Sequence, residues 1–215
     1  MKKSYIVFFD FDNTITKFDI LDDMLLRFSK DDNWIELEEK WKRWKIGSRE
    51  CLEGQMAGIR ITRKDLDRYL SKIKLDPYFK KLIELFKSKK IKSIILSDDF
   101  DYILMRVLRN NNIPNVETYS NKVKIVKDRL IPSFPYINKD HRKCGHCKKI
   151  NLLANKGRGL TTVYVGDGLS DLCPAIEAEI VFAKGPLQEY LKKERLGYIP
   201  IKGLKDVYNY FKYLS

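Results

Sequence analysis

Two patterns of hydrophobic and polar residues alternate along the chain. Short apolar runs lie at residues 5–9, 91–96, 116–119, 162–165 and 180–182, and amphipathic segments with helical spacing separate most of them. This alternation predicts an α/β fold in which a doubly wound parallel sheet carries helices on both faces. The stretch 121–134 alternates apolar and polar residues around Lys127 and Asp128, which predicts a hairpin ended by Pro132 and Pro135.

The stretch from residue 17 to residue 74 has helical spacing throughout and no strand pattern. We therefore expect residues 1–16 and 75–215 to form the core, and residues 17–74 to form a small all-helical domain inserted after the first strand. Trp34, Trp41 and Trp44 share one helical face there. We expect them mainly in the core of that domain, with room for one of them to line a substrate pocket.

Composition narrows the class of protein. Of 215 residues, 44% are hydrophobic, which suits a globular chain, and no apolar run approaches the roughly 18 residues of a membrane span. The start Met1-Lys2-Lys3-Ser4 passes into a short strand without a cleavage site, so we expect a cytoplasmic protein with no membrane partner. Four cysteines are too few for a disulfide scaffold of this length, which favours reduced thiols.

The net charge of +13 is compatible with nucleic acid, an acidic membrane or an anionic small substrate. The lysines are scattered through amphipathic segments, as on solvated helix faces. A nucleic-acid partner is therefore not expected from the charge, and a small anionic substrate fits it equally well.

Acidic residues follow three of the apolar runs at the point where each strand ends. Carboxyl ends of parallel strands meet at one edge of the sheet, where ligands bind in such folds. So many carboxylates at one rim would repel each other, but they suit a hard cation such as Mg²⁺, which binds carboxylate oxygens together with substrate phosphate and water. The acids are Asp10 and Asp12 after the first run, Asp98 and Asp99 after the second, where Ser97 precedes them, and Asp167 and Asp171 after the third.

The motif Asp10-Phe11-Asp12-Asn13-Thr14 resembles the signature of the haloacid dehalogenase (HAD) superfamily, and the chain is similar to its subfamily IB. Ser97 matches the second motif, a lysine at the head of a later helix the third, and the stretch 166–171 the fourth. The resemblance implies a Rossmann-like core with a helical cap and a phosphatase that hydrolyses a small-molecule phosphomonoester. Taken singly, each Asp, Ser or Thr could instead cap a helix.

The resemblance also implies a role for each motif residue. Asp10 would be the nucleophile that forms an aspartyl phosphate, and Asp12 the general acid and base. Ser97 would donate a hydrogen bond to the phosphate, and Thr14 would brace the nucleophile loop. Mg²⁺ would be held by Asp10, by the Asp12 carbonyl and by Asp167, and Asp171 would either bind it directly or support one of these ligands. Lys148 and Lys149 both begin the same helix; we prefer Lys148 because it directly follows Cys147.

The substrate is less constrained than the chemistry. The stretch Cys144-Gly145-His146-Cys147-Lys148 and the extended fourth motif resemble the 2-hydroxy-3-keto-5-methylthiopentenyl-1-phosphate phosphatases of methionine salvage. Phosphoserine phosphatases lack that CxxC and commonly carry a cap arginine for the substrate carboxylate. Here Glu53 stands at that position, with Arg49 one turn earlier, so phosphoserine is a weaker alternative.

The second motif departs from the family pattern, because Asp98 and Asp99 replace its two glycines. An acid after the serine resembles the phosphocholine and phosphoethanolamine phosphatases, so Asp98, with Asp19 or Asp22, could bind a substrate amine. Asp98 could instead cap the helix predicted over residues 100–109.

His141, Cys144, His146 and Cys147 suggest a zinc site, which Cys173 could complete, although structural zinc usually draws its ligands from two separated knuckles. A redox CxxC and a ligand-free loop are the alternatives. A non-catalytic phosphate-binding or nucleic-acid-binding protein on the same fold is the remaining functional hypothesis. The sequence does not indicate an oligomeric state.

Overall fold

The computed structural model describes residues 4–113, 115–138 and 144–214. In this part of the chain seven strands and ten α-helices follow one another. The strands are β1 (Ser4–Phe9), β2 (Lys92–Phe100), β3 (Glu117–Val126), β4 (Arg129–Ser133), β5 (Leu160–Gly166), β6 (Ile180–Ala183) and β7 (Ile199–Pro200). The helices are α1 (Ile20–Phe28), α2 (Asn33–Lys42), α3 (Ser48–Gly58), α4 (Arg63–Leu70), α5 (Pro77–Lys89), α6 (Asp101–Asn110), α7 (Lys148–Asn155), α8 (Leu172–Glu177), α9 (Gly185–Lys193) and α10 (Leu204–Lys212).

The strands form one sheet in the order β4-β3-β2-β1-β5-β6-β7, and every pair except β3 with β4 is parallel. The predicted α/β fold is confirmed. β1 lies between β2 and β5, and its side chains are buried on both faces, as expected for a parallel strand covered by helices. Val7 and Phe9 belong to the larger apolar cluster, and Ile6 and Phe8 to the smaller cluster on the other face.

Three details of the sequence prediction were wrong. β3 is one strand from Glu117 to Val126, which joins the predicted strand at 116–119 to the hairpin. Pro132 lies within β4 and does not end it, because β4 is an edge strand where a missing backbone N–H is tolerated. β2 continues to Phe100, which precedes α6, so Asp98 lies in a strand and is not the cap of that helix.

The predicted helical insertion, residues 17–74, carries α1 to α4 between β1 and α5. Thr16 and Leu75 pair as an isolated antiparallel bridge, and the Asp76 N–H donates to the Ile15 carbonyl at 2.8 Å. The chain therefore leaves the core and returns to it at the same place. No helix in the described ranges is both long enough and apolar enough to cross a lipid bilayer.

The insertion packs on the sheet edge beside the hairpin. The Ile61 N–H donates to the Asp128 carbonyl at 2.8 Å, which ties the insertion to the β3–β4 turn. On α4, the Asp67 carboxylate accepts from Arg106 and Tyr102 on α6, at 2.5 Å to the nearer guanidinium nitrogen and 2.6 Å to the hydroxyl. These contacts hold the insertion over the carboxyl ends of β1 and β2.

Candidate active site

Three carboxylates meet where β1 and β5 end. The Asp10 N–H donates to the Val165 carbonyl at 2.9 Å, which continues the β1–β5 pairing to the last residue before the loop. This pairing brings Asp10 next to the loop after β5, which carries Asp167 and Asp171. One carboxylate oxygen from each of these three acids lies within 4.8 Å of the other two. This is the one such group of metal-ligating side chains among the described residues.

Lys148 is the cation that faces these acids. Its Nζ donates to Asp10 Oδ1 at 2.5 Å, to Asp171 Oδ1 at 2.8 Å and to Ser170 Oγ at 3.0 Å. Lys148 is buried, and burial by itself would lower its pKa, but Asp10 and Asp171 outweigh burial and the pKa is raised well above its ordinary value. Lys149 is partly exposed instead and pairs with Glu177 at 2.5 Å, away from the acids.

Asp171 is held by protein donors at both of its oxygens. Tyr164 donates to Oδ1 at 2.6 Å, and the backbone N–H groups of Asp167 and Gly168 donate to Oδ2 at 3.0 Å each. Sequence reasoning missed Tyr164. Its position in the apolar run before the fourth motif was the available signal, because a hydroxyl within a buried strand needs a partner.

The acids carry more negative charge than one lysine balances. Burial, with the repulsion of Asp171, raises the pKa of Asp10 well above its ordinary value, although Lys148 opposes the shift. Burial and Asp171 also raise the pKa of Asp167 to about 6, while the hydrogen bond from Thr14 Oγ1 to Asp167 Oδ1, at 2.8 Å, lowers it. A hard divalent cation with oxygen ligands fits this donor set, because it would relieve the repulsion.

Asp12 lies outside that group and has a different environment. Its Oδ1 accepts from the Ile20 N–H at 3.0 Å, at the beginning of α1. Burial, together with the neighbouring carboxylates of Asp19 and Asp99, raises the pKa of Asp12 well above its ordinary value. Asp19 caps α1 by accepting from the Asp22 N–H at 3.0 Å, and burial with Asp22 raises the pKa of Asp19 to about 7. The raised pKa favours the protonated form of Asp12, which is the form that a general acid needs.

The second motif contains the buried residues Ser97 and Asp99 and the half-buried Asp98. Ser97 Oγ accepts from the Asp99 N–H at 3.0 Å, and Asp99 Oδ1 accepts from the Phe100 N–H at 2.7 Å. Asp98 Oδ1 and Asp99 Oδ2 are buried atoms without a hydrogen-bond partner. Burial raises the pKa of Asp98 to about 6, against the opposing charge of Lys148. An unpartnered buried carboxylate oxygen is costly, so a ligand with a donor or a positive charge would stabilise it.

Arg49 and Glu53 do not join these residues. Both are exposed on α3 and pair with each other at 2.9 Å, and the Arg49 guanidinium lies over the Phe134 ring. Their one-turn spacing on a helix surface explains this pairing. Neither residue lines the cavity beside Lys148, and a contact of either one with a substrate stays a prediction.

The described part of the predicted zinc segment does not form a metal site. His146 is buried, its Nδ1 lies 2.6 Å from the Ser97 carbonyl oxygen, and its Nε2 lies 2.6 Å from Asn151 Nδ2. Both ring nitrogens thus have partners, with Nδ1 donating and Nε2 accepting. Burial lowers the pKa of His146 to about 4. Cys144 and Cys147 belong to no metal-ligating group among the described residues, and His141 lies outside them.

A cavity of about 350 Å³ opens between the insertion and the core, beside Lys148. Its lining combines polar and apolar side chains. The polar ones include Asp98, His146, Lys148, Lys149 and Ser170, and the apolar ones include Trp41, Trp44 and Ile46 from the insertion and Leu169, Leu172 and Ile176 from the core. Trp44 is 60% exposed and follows α2, so the prediction that it is buried in the helical domain was wrong.

The chain is similar to phosphatases over nearly all of its length. A family model described as Putative Phosphatase matches residues 5–184. The polyol phosphate phosphatase of Saccharomyces cerevisiae is 29% identical over 94% of this chain and 90% of its own length. A 2-hydroxy-3-keto-5-methylthiopentenyl-1-phosphate phosphatase of Exiguobacterium is 24% identical over 94% of this chain and 95% of its own length.

Solved structures agree on the fold. The phosphoserine phosphatase of T. onnurineus superposes with a TM-score of 0.72 at 19% identity, and the match covers 99% of this chain and 96% of the other. These relatives carry the names of different substrates, so the similarity extends to the type of enzyme and not to one alcohol.

Proposed function

Because the chain belongs to the Putative Phosphatase family, whose matching relatives are phosphatases of the HAD type, we propose that it hydrolyses a small phosphomonoester through a phosphorylated Asp10. The single observation that carries this proposal is the junction of Asp10, Asp167, Asp171 and Lys148 at the ends of β1 and β5. A carboxylate that would act as the nucleophile, a lysine countercharge and oxygen atoms that would ligate a cation lie together in one buried place.

The Asp10 carboxylate would attack the phosphorus atom, forming the Asp10–phosphate bond as the bond to the alcohol oxygen breaks. Asp12, whose pKa is raised, would give its proton to the departing alcohol oxygen and later take one from the water that hydrolyses the phosphoenzyme. Lys148 would stabilise negative charge on Asp10 and on the transferring phosphoryl group. The Ser97 hydroxyl, which accepts from Asp99, keeps its own proton for a phosphate oxygen.

We propose Mg²⁺ as the cofactor. Asp10 and Asp167 would ligate it, with the Asp12 carbonyl as the HAD resemblance implies, and Asp171 would ligate it or hold the Asp167 loop in place. When bound, Mg²⁺ would supply the positive charge that lets an anionic carboxylate approach an anionic phosphate.

Hydrolysis is tested by inorganic phosphate release from a panel of phosphomonoesters with Mg²⁺ or EDTA. Asp10→Asn should lower turnover by at least about a thousandfold, because it removes the nucleophile, and EDTA should abolish turnover. Asp128→Asn, at an exposed position of the hairpin turn, is the matched control and should retain full activity. Release that survives Asp10→Asn would refute the phospho-Asp10 mechanism.

The methylthiopentenyl phosphate of methionine salvage is the first substrate to include, because the sequence motifs resemble that group and relatives of that name match over nearly the whole chain. The helical insertion would act as the cap that selects it. Phosphoserine is less well supported, since Arg49 pairs with Glu53 and does not line the cavity.

A cationic alcohol is the second candidate, and the half-buried Asp98 favours it. Asp98 lines the cavity and its buried Oδ1 has no hydrogen-bond partner, so an ammonium group near this carboxylate could stabilise its negative charge. Phosphocholine and phosphoethanolamine would then be the preferred esters. Asp98→Asn should lower kcat/KM for these two esters more than for an uncharged ester of similar size; an equal loss would remove this candidate.

A non-catalytic role in binding phosphate or nucleic acid remains the minor alternative. Binding that weakens steeply with salt and is unaffected by Asp10→Asn, in a protein that releases no phosphate, would favour it.

A further inference from the structure

α2 ends in a Schellman motif with a tryptophan at the position that favours glycine. The Lys45 N–H donates to the Lys40 carbonyl at 2.9 Å, and the Trp44 N–H donates to the Trp41 carbonyl at 2.8 Å. Trp44 has φ +58°, in the left-handed region. Glycine is usual there because a side chain at positive φ contacts its own backbone, and the strain is marked for a bulky residue.

The same motif ends α5, where it gives an internal comparison. Lys90 has φ +56°, its N–H donates to the Lys87 carbonyl at 3.2 Å, and the Ile91 N–H donates to the Phe86 carbonyl at 2.8 Å. Lys90 is long, polar and exposed, as suits a surface position. Trp44 combines the strained conformation with a large apolar side chain that is 60% exposed. Two unfavourable features in one residue indicate a functional requirement.

The position of Trp44 shows what that requirement is. Trp44 lines the cavity beside Lys148 together with Trp41 and Ile46, and Leu169 and Leu172 of the core line it too. The lining thus combines the charged groups of Lys148 and Asp98 with apolar side chains from both parts of the chain. A phosphomonoester with its phosphate at Lys148 would extend its alcohol among these apolar side chains.

We propose that Trp44 is a specificity-determining residue that covers the alkyl part of the leaving alcohol, so that the enzyme selects phosphate esters whose alcohol carries methyl or methylene groups. This rests on the proposed function. Covering the alcohol removes apolar surface of both the ligand and the indole from water. The favourable free energy of this burial grows with each methylene of the alcohol. The left-handed backbone places the indole beyond the end of α2, at the cavity, and the strain is retained for that reason.

The test is a series of methyl, propyl and pentyl phosphates. For the wild-type enzyme, kcat/KM should rise about two- to fourfold for each added methylene. Trp44→Gly, which suits the backbone conformation and should leave the melting temperature unchanged or raised, should reduce that gradient to half or less on a logarithmic scale. Trp44→Phe should restore most of it. Lys90→Gly makes the same backbone change away from the cavity and should keep the full gradient.

A flat chain-length dependence in the wild type, or an undiminished gradient in Trp44→Gly, would overturn the proposal. The failure of hydrolysis itself is distinguishable. If no ester is turned over, the binding of the same alkyl phosphates is measured by titration calorimetry. Two proteins are compared, the Asp10→Asn variant and the double variant that also carries Trp44→Gly. The comparison shows whether affinity rises with chain length and whether that rise depends on Trp44. Affinity that depends on Trp44 in an enzyme without turnover refutes the proposed function and leaves this inference standing. Equal affinity across the series refutes the inference.

Discussion

At the scale of single residues, Lys148 and Lys149 are neighbours in the chain but have very different environments. Lys148 is buried against Asp10 and Asp171, whereas Lys149 pairs with Glu177 at the surface. The first turn of α7 begins at Lys148, and the apolar residue Leu152, four positions later on the same face, is buried. This helical register decides which lysine faces the acids.

Replacing these two lysines by methionine in turn should give very different results. Lys148→Met leaves buried carboxylates without their cation, and in EDTA it should lower the free energy of unfolding by about 3 kcal/mol or more. It should also abolish phosphate release. Lys149→Met removes a partly exposed pair and should cost about 0.5 kcal/mol or less. Urea unfolding measures both variants; equal losses would show that Lys148 does not compensate the acids.

The neutral His146 should make stability depend on pH. Its folded pKa is about 4, because burial disfavours the charged ring, against an ordinary value of about 6.5 in the unfolded chain. Between these pH values the unfolded state binds one more proton. The contribution of His146 is therefore complete above pH 6.5 and is lost as pH falls toward 4, by about 3 kcal/mol in total.

The measurement is the difference in unfolding free energy between wild type and His146→Asn from pH 7.5 to pH 4.5. Groups common to both proteins cancel in this difference. The advantage of the wild type should shrink steadily below pH 6.5. Parallel curves for the two proteins would contradict the depressed pKa.

At the scale of elements, the carboxyl end of β5 leaves no room for a side chain. A Cβ on Gly166 would lie 2.5 Å from Asp171 Oδ2 and 2.9 Å from Tyr164 Cε1, whereas a Cβ on Gly168 would lie 3.9 Å from Asp171 Oδ2. Both glycines belong to the fourth motif, but only Gly166 lacks space for a side chain. The glycine in the strand makes space for the carboxylate that organises the loop.

Gly166→Ala should therefore displace Asp171 and release its hydrogen bonds to the Asp167 and Gly168 N–H groups. We expect phosphate release to fall about 10- to 100-fold and the apparent affinity for Mg²⁺ to fall with it, as when other partners of metal ligands are lost. Gly168→Ala in the same loop should change activity less than threefold. Mg²⁺ titration of the rate separates the two, and equal effects would mean that the contact at Gly166 is relieved without moving Asp171.

Elements differ in how well the sequence predicts them. The strands that precede Asp10 and Asp167 were predictable because a fully buried parallel strand is a continuous apolar run. The first acidic residue after each run marks where the strand ends. β7 has two residues and no such run. The exposure of Trp44 depends on where α2 ends, which helical periodicity in the sequence does not define. The partners of Tyr164 and His146 depend on tertiary contacts with residues far along the chain.

At the scale of the whole molecule, the functional groups divide by origin. The three clustered acids and Lys148 come from the ends of β1 and β5 and from α7, and the ordered motifs of the sequence predicted that these residues lie at one edge of the sheet. The apolar lining of the cavity comes in part from residues 41–46. Motif spacing contains no information about that lining, because any apolar side chains of suitable shape could form it. Predictions of chemistry from sequence are therefore stronger than predictions of the alcohol.

The paired Thr16 and Leu75 have a consequence for how such enzymes can diverge. The insertion leaves and rejoins the core at two residues that lie next to each other in space. A single genetic exchange of the segment between them would therefore replace one wall of the cavity and leave the positions of Asp10, Asp167 and Asp171 unchanged. Only the first turn of α1 would have to be retained, since the Ile20 N–H fixes Asp12. One recombination step could therefore give the enzyme a new substrate specificity while the residues of the reaction stay the same.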